Sequence, residues 1–96
     1  MIVHIAIFKW KDGTSKDRIK KALDDVKSLK TKCKGVADIM CGENFSKWSE
    51  GFTHAAVVIA KDKEALDGYR NHPMHKLVAH EIEEMEEHGI GIDFEV

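Results

Sequence analysis

The chain has little proline, little cysteine and no long hydrophobic run. Of its 96 residues one is proline, two are cysteines and 7% are aromatic. A helix that crosses a membrane needs about 18 or more apolar residues in a row, and no segment provides them. The N-terminal segment lacks the basic start and long apolar stretch of a secretory signal, which predicts a cytoplasmic protein. The spacing of Cys33 and Cys41 fits neither a redox motif nor a zinc knuckle, so we interpret both as small core residues.

An excess of charge of either sign is also lacking. Fifteen basic and seventeen acidic residues give a net charge of -2, and this balance predicts neither a nucleic-acid partner nor an anionic membrane partner. The sequence has no repeats, linkers or low-complexity segments, and its length predicts a single domain over residues 1–96. So small a domain gains stability by burying surface against a second copy, and we therefore expect a homodimer.

Hydrophobic periodicity and helix-capping residues predict seven elements. Apolar side chains occupy both parities of the first and third strands, which is typical of strands covered on both faces. The last strand alternates, which predicts one buried face. In chain order the predicted elements are strand 2–10, helix 14–33, strand 36–45, strand 52–61, helix 63–71, helix 73–88 and strand 90–96.

The order β-α-β-β-α-β predicts an α+β, ferredoxin-like fold. In this fold an antiparallel four-stranded sheet carries its helices on one face. The other face is then apolar and uncovered. Two such sheets that face each other across a homodimer would cover it, forming a dimeric α/β barrel.

The most informative motif is Tyr-x-x-His-Pro-x-His, which brings Tyr69, His72 and His75 around Pro73. Proline disfavours helix at the residue before it and is well tolerated at the first position of a new helix, so these side chains lie at a bend. His75 then falls in the first turn of the second helix, where the macrodipole favours a neutral imidazole. A neutral imidazole can act as a base. The alternative is a helix break with surface histidines, and His72 itself fits a helix cap as well as a ligand contact.

Other histidines are candidates for ligand contact or for structure. His4 shares the strand parity of Ile2 and Phe8, where either a hydrogen-bonded core histidine or a ligand-binding one is expected. His54 begins the third strand and leaves the same two alternatives open. A separate series, His80, Glu84 and His88, recurs every four residues. This acidic face is expected to be solvated and lacks the His-Glu-x-x-His arrangement, so we predict no metal site.

Three segments together resemble a known family. They are Val3–Lys11, then Gly42-Glu43-Asn44 with Glu50–His54, and Tyr69–His75. In this order they are similar to the stress-responsive α/β-barrel (Dabb) domain, and the resemblance covers nearly the whole chain. It implies a dimeric barrel built from two β-α-β-β-α-β chains.

The resemblance also implies a chemistry. A plant member of the family closes a linear polyketide by aldol condensation with a tyrosine and a histidine, which correspond to Tyr69 and His75. His4 and His54 match further histidines beside its pocket. In such a mechanism His75 removes a proton next to a carbonyl and the Tyr69 hydroxyl stabilises the enolate. Neither residue requires a metal or an organic cofactor.

Three functions remain open at this point. The first is a dimer that binds an apolar or carbonyl-bearing small molecule and carries out cofactor-free, cyclase- or lyase-like chemistry. The second is a non-enzymatic stress-related protein whose histidines are packed. The third, by analogy of fold, is a cofactor-free monooxygenase. A cavity of a few hundred cubic ångströms that reaches Tyr69 and His75 favours ligand binding, whereas a filled interior favours a structural role.

Overall fold

The computed structural model describes residues 1–96 as one antiparallel sheet and three helices. The strands lie in the order β2-β3-β1-β4 and all neighbours are antiparallel, which confirms the predicted α+β fold. A single 3-10 turn, Leu29–Thr31, follows the first helix. The elements are β1 (Ile2–Trp10), α1 (Lys16–Ser28), β2 (Val36–Glu43), β3 (His54–Ala60), α2 (Lys63–Asn71), α3 (Pro73–Met85) and β4 (Glu86–Glu95).

Several boundaries differ from the predicted ones. The Ser15 side chain caps α1 by accepting the Arg18 N–H at 3.1 Å, but the α-helix ends at Ser28 and only the 3-10 turn follows. Helix α3 ends at Met85, before the predicted end at residue 88, and β4 begins at once. Trp10 pairs with Glu86 in the sheet, so strand pairing overrides the helical pattern there. Strands β2 and β3 stop at Glu43 and start at His54, each about two residues inside the predicted limit.

The three helices cover one face of the sheet. From this face Ile2 and Phe8 of β1 and Val58 of β3 enter the core, as the parity of β1 predicts. Leu29 in the 3-10 turn and Met85 at the end of α3 are almost completely buried. The helix-covered face therefore holds the hydrophobic core.

The opposite face, here called the open face, is apolar and uncovered within one chain. Cross-strand partners project from the same side of a sheet, so the pairing of Val3 with both Ile59 and Phe94 assigns these residues to one face. This confirms the predicted uncovered face. Its members are Val3, Ile5, Ile7, Met40, Ala55, Val57, Ile59, Ile90, Ile92 and Phe94.

The prediction that β4 buries one face is wrong for the single chain. Its apolar residues lie on the open face and remain exposed, Ile92 by 49%. Toward the helices it presents Gly89, Gly91 and Asp93, which pair with Phe8, Ala6 and His4. Apolar and polar or glycine residues do alternate along β4, but the apolar side chains point away from the helices.

Both cysteines are free thiols. Cys33 is buried in the core, and Cys41 packs against the core from β2. Burial raises the pKa of the Cys41 thiol to about 11, so it stays protonated and unreactive at neutral pH. These positions agree with the interpretation of both as small packing residues. None of the helices has the length and apolar character that a membrane crossing requires.

Gly35 occupies a position that a larger residue cannot fill without strain. Its φ is +82°, and a Cβ there would lie 2.6 Å from the Cβ of Ala65 on α2. We expect Gly35→Ala to lower the free energy of unfolding by about 2 kcal/mol or more. Gly68→Ala, on an open surface of α2, is the matched control and should raise it by about 0.5–1 kcal/mol. Urea unfolding at one protein concentration measures both, and an unchanged Gly35→Ala midpoint would contradict the close approach.

Candidate active site

A cavity of about 180 Å³ lies between the helix-covered face of the sheet and helices α2 and α3. Most of its lining is aliphatic or aromatic. The groups able to donate, accept or carry charge are His4, Tyr69, His75, Glu83 and Glu86. Its volume is about six times the liquid volume of one water molecule and falls below that of drug-sized sites. The cavity therefore has room for a small compound rather than a long one.

Tyr69 supplies a protonated hydroxyl that has no partner in the chain. The residue lies near the end of α2 and is only 3% exposed. Its hydroxyl makes no hydrogen bond within the chain and keeps some accessible surface, and the residue lines the cavity. Burial is the main cause that raises the pKa of Tyr69 to about 12. The hydroxyl is therefore a hydrogen-bond donor throughout the neutral range.

The bend at Pro73 places His75 beside Tyr69. His72 caps α3, because its Nδ1 accepts the Met74 N–H at 3.1 Å, and Pro73 starts the helix. This path returns the His75 ring toward α2, where its centroid lies 4.5 Å from that of Tyr69. The predicted bend and the placement of His75 in the first turn are confirmed.

The backbone fixes the tautomer of His75. Its Nδ1 lies 3.1 Å from the carbonyl oxygen of Arg70, and because a carbonyl can only accept, Nδ1 carries the proton. In the neutral ring Nε2 is then the basic nitrogen. Burial lowers the pKa of His75, the Arg70 carbonyl opposes this shift, and the positive charges of His4, Arg70 and His72 add to it. Burial thus favours the neutral ring, in the same direction as the helix dipole predicted from the sequence.

His4 belongs to a second hydrogen-bonded group on the same cavity. Its Nδ1 lies 2.5 Å from an oxygen of Asp93, its cross-strand partner on β4. The other oxygen of Asp93 accepts from Arg70 at 2.5 Å. Arg70 first and His4 second lower the pKa of the Asp93 carboxyl, so Asp93 is an acceptor and Nδ1 of His4 is the donor. The His4 and Tyr69 ring centroids are 6.3 Å apart.

Four residues of this arrangement were not identified from the sequence. Asp93 alternates with apolar residues on β4, a pattern that suggests a solvent-facing position, and only the register with β1 reveals its contact with His4. Nothing in the sequence indicated a role for Arg70 in the site except its position next to Tyr69. Glu83 and Glu86 belong to an acidic stretch that we expected to be solvated, yet both line the cavity.

His54 and His72 lie apart from the cavity. The His54 Nδ1 accepts from the Trp10 indole at 2.9 Å and lies 2.8 Å from the Thr53 hydroxyl. Burial lowers the pKa of His54, and the residue lines a separate depression between α1 and β2. His72 serves as the cap of α3. The structure thus brings together His4, Tyr69 and His75 of the five residues singled out from the sequence.

The acidic and histidine residues of the C-terminal third do not form a metal centre. His80 pairs with Glu84 at 3.3 Å on the outer face of α3. His88 lies on β4 and packs edge-on against Phe52, with 5.8 Å between ring centroids. The four-residue periodicity ends with the helix at Met85. Elsewhere, no group of three or more His, Cys, Asp or Glu side chains is arranged to hold a metal ion.

Solved structures share this fold at low sequence identity. At3g17210 from Arabidopsis thaliana is 22% identical, with a TM-score of 0.91 over 100% of this chain and 95% of that one. A dimeric ferredoxin-like protein of unknown function from Jannaschia sp. CCS1 is 24% identical, with a TM-score of 0.90 over 99% and 98%. A hydroxynitrile lyase from Passiflora edulis is 17% identical, with a TM-score of 0.90 over 99% and 92%. At these identities the likeness shows the fold alone.

No curated protein matches the sequence. A family model does match, and it is described as the Stress responsive A/B Barrel Domain, Dabb. The match runs over residues 2–96 and includes every strand and helix of the fold. The chain therefore belongs to the stress-responsive A/B barrel (Dabb) family.

Proposed function

We propose that the protein is a homodimer that binds a small carbonyl compound and moves a proton next to the carbonyl without a cofactor. One observation carries this proposal. Tyr69 is a buried residue whose hydroxyl has no hydrogen-bond partner in the chain, and it lines a cavity beside His75, whose Nδ1 is already occupied. If Tyr69 and His75 served only to pack the interior, the hydroxyl would be expected to have a hydrogen-bond partner within the chain.

The two groups have complementary roles. With Nδ1 bound to the Arg70 carbonyl, Nε2 of His75 takes the proton from the carbon adjacent to the carbonyl. The electron pair of the broken C–H bond moves to the carbonyl oxygen, where the Tyr69 hydroxyl donates to the developing enolate. The same proton returns from His75 to the carbon, or the enolate carbon attacks a second carbonyl and the resulting alkoxide takes the proton from His75. The pKa values suit these roles, since that of His75 is lowered and that of Tyr69 is raised to about 12.

The dimer follows from the open face. Monomeric soluble proteins seldom expose a contiguous apolar surface of this kind, and here one extends across all four strands. Three solved relatives of this fold are described as dimeric, from Thermobifida fusca, Jannaschia and Bacteroides fragilis. Two copies that pack open face to open face would cover the apolar side chains of both sheets.

The hydroxynitrile lyase among the structural neighbours supports lyase-like chemistry on this fold. It does not identify a substrate for this chain, since the two sequences are 17% identical. The volume of the cavity, about 180 Å³, favours a compound smaller than a linear polyketide. Small ketones and β-dicarbonyls are accordingly the first probes to use.

An NMR titration of the His75 ring tests the proposal. Because burial lowers its pKa, we expect the midpoint in the native protein to lie below that in urea, where the ring has its ordinary value near 6.5. Acetylacetone or cyclohexanone should move the His75 resonances and leave those of His80, on the outer face of α3, unchanged. A native midpoint equal to that in urea, with no response to either compound, would favour the non-enzymatic structural role.

A further inference from the structure

The cavity is lined by glutamate but by no lysine, arginine or aspartate. Glu83 on α3 and Glu86 at the start of β4 are its only carboxylates, and no lysine or arginine lines it. Arg70, which follows Tyr69 in sequence, directs its guanidinium to Asp93 instead. A ligand in the cavity thus meets two carboxylates and no lysine or arginine side chain.

The position of Glu86 strengthens this effect. Its carboxylate lies over β4, where a Cβ on Gly89 would come within 2.6 Å of Oε2. Partial burial, and then the neighbouring Glu83 charge, raise the pKa of Glu86. The Glu86 carboxylate is therefore poorly solvated and is repelled by the Glu83 charge. A further negative charge placed nearby would add to this repulsion.

The unpartnered hydroxyl of Tyr69 indicates which group of a ligand it would bind. It is a neutral donor on a residue that is 3% exposed and lines the same cavity. A carbonyl oxygen satisfies this donor without bringing charge past the two carboxylates. A carboxylate could satisfy it only at the electrostatic cost of approaching them.

We infer that Glu83 and Glu86 set the substrate class, so that the cavity takes uncharged or amine-bearing carbonyl compounds and rejects carboxylates. This inference rests on the function proposed above and narrows its substrate. At separations of several ångströms in a partly hydrated site, repulsion of this kind weakens binding by about fivefold to tenfold. The effect should shrink at high salt, because Glu83 is exposed.

Three probes of similar length and different charge test the inference. They are methyl levulinate, which is neutral, levulinate, which is an anion, and 5-(dimethylamino)pentan-2-one, which is a cation at neutral pH. Their dissociation constants are measured from the His75 resonances at mildly alkaline pH, far above the ordinary pKa of a carboxyl group. We expect levulinate to bind at least about fivefold more weakly than its ester and the amine to bind at least as tightly as the ester.

Two double variants identify the residues responsible. Glu83→Gln with Glu86→Gln should bring levulinate to within about twofold of the ester. Glu84→Gln with Glu87→Gln removes the same charge from residues that do not line the cavity and should keep the wild-type preference. Equal binding of all three probes, or equal effects of the two double variants, would overturn the inference and leave the proposed function intact. If no probe moves His75, the proposed function itself fails.

Discussion

Ile92→Glu is expected to make the protein monomeric, whereas the wild type is expected to sediment as a dimer. Ile92 lies on the open face, opposite Ile5 of β1. In the proposed dimer its side chain would be buried against the second sheet, where an unpaired carboxylate costs about 3 kcal/mol or more. That cost, present in both copies, raises the dissociation constant by at least a hundredfold. Sedimentation velocity over a dilution series measures the change.

Leu77→Glu is the matched control for this experiment. Leu77 is an exposed apolar residue of α3, 67% accessible, and does not belong to the open face. The same substitution there should leave the sedimentation coefficient unchanged. A wild type that is monomeric at micromolar concentration would contradict the proposed dimer, and a dimeric Ile92→Glu protein would place the interface elsewhere.

His75→Gln and Tyr69→Phe should each abolish most of the proton-transfer activity. The simplest assay is the exchange of the α-protons of cyclohexanone in deuterated water, which requires only that a base remove a proton and return a deuteron. Loss of the general base typically costs about 10²-fold to 10⁴-fold, and loss of one donor to a developing oxyanion about 10²-fold to 10³-fold. Rates are read from the decay of the proton signal by NMR.

The pH profile of the same exchange provides an independent check. The basic form of His75 exists above its pKa, and burial lowers that pKa below the ordinary value near 6.5. The rate should therefore rise with pH through a midpoint below 6.5 and reach a plateau across the neutral range, since Tyr69 stays protonated up to about pH 12. His80→Gln, on the outer face of α3, should retain the wild-type rate. A profile unaffected by His75→Gln would assign the exchange to another group.

Local patterns predicted most of the fold. The cap at Ser15, the bend at Pro73 and the parity of β1 all depend on residues close in sequence, and the structure confirms each of them. The predicted end of α3, at residue 88, was wrong because it depends on residues distant in sequence. Residues after Met85 have a helical pattern, but pairing with β1 offers them a full set of backbone hydrogen bonds, and this non-local interaction decides the outcome.

In the candidate site, too, contacts between residues close in sequence could be predicted, whereas contacts between distant residues could not. Tyr69 and His75 lie six residues apart on either side of one proline, so their proximity could be predicted from the motif and is confirmed. Asp93 meets His4 across 89 positions of sequence, and no local pattern contains the register that joins them. Glu86 lines the cavity only because the strand begins there instead of continuing the helix.

The use of a main-chain carbonyl to hold His75 has a consequence for engineering the site. Residue 70 serves both histidines: its backbone oxygen binds His75, and its guanidinium binds the Asp93 carboxylate that accepts from His4. Substitution can delete the guanidinium but never the carbonyl. A library that varies position 70 would therefore change the hydrogen bonding of Asp93 and His4, while Nδ1 of His75 keeps its main-chain partner. The tautomer of His75 is thus independent of the side chain at position 70.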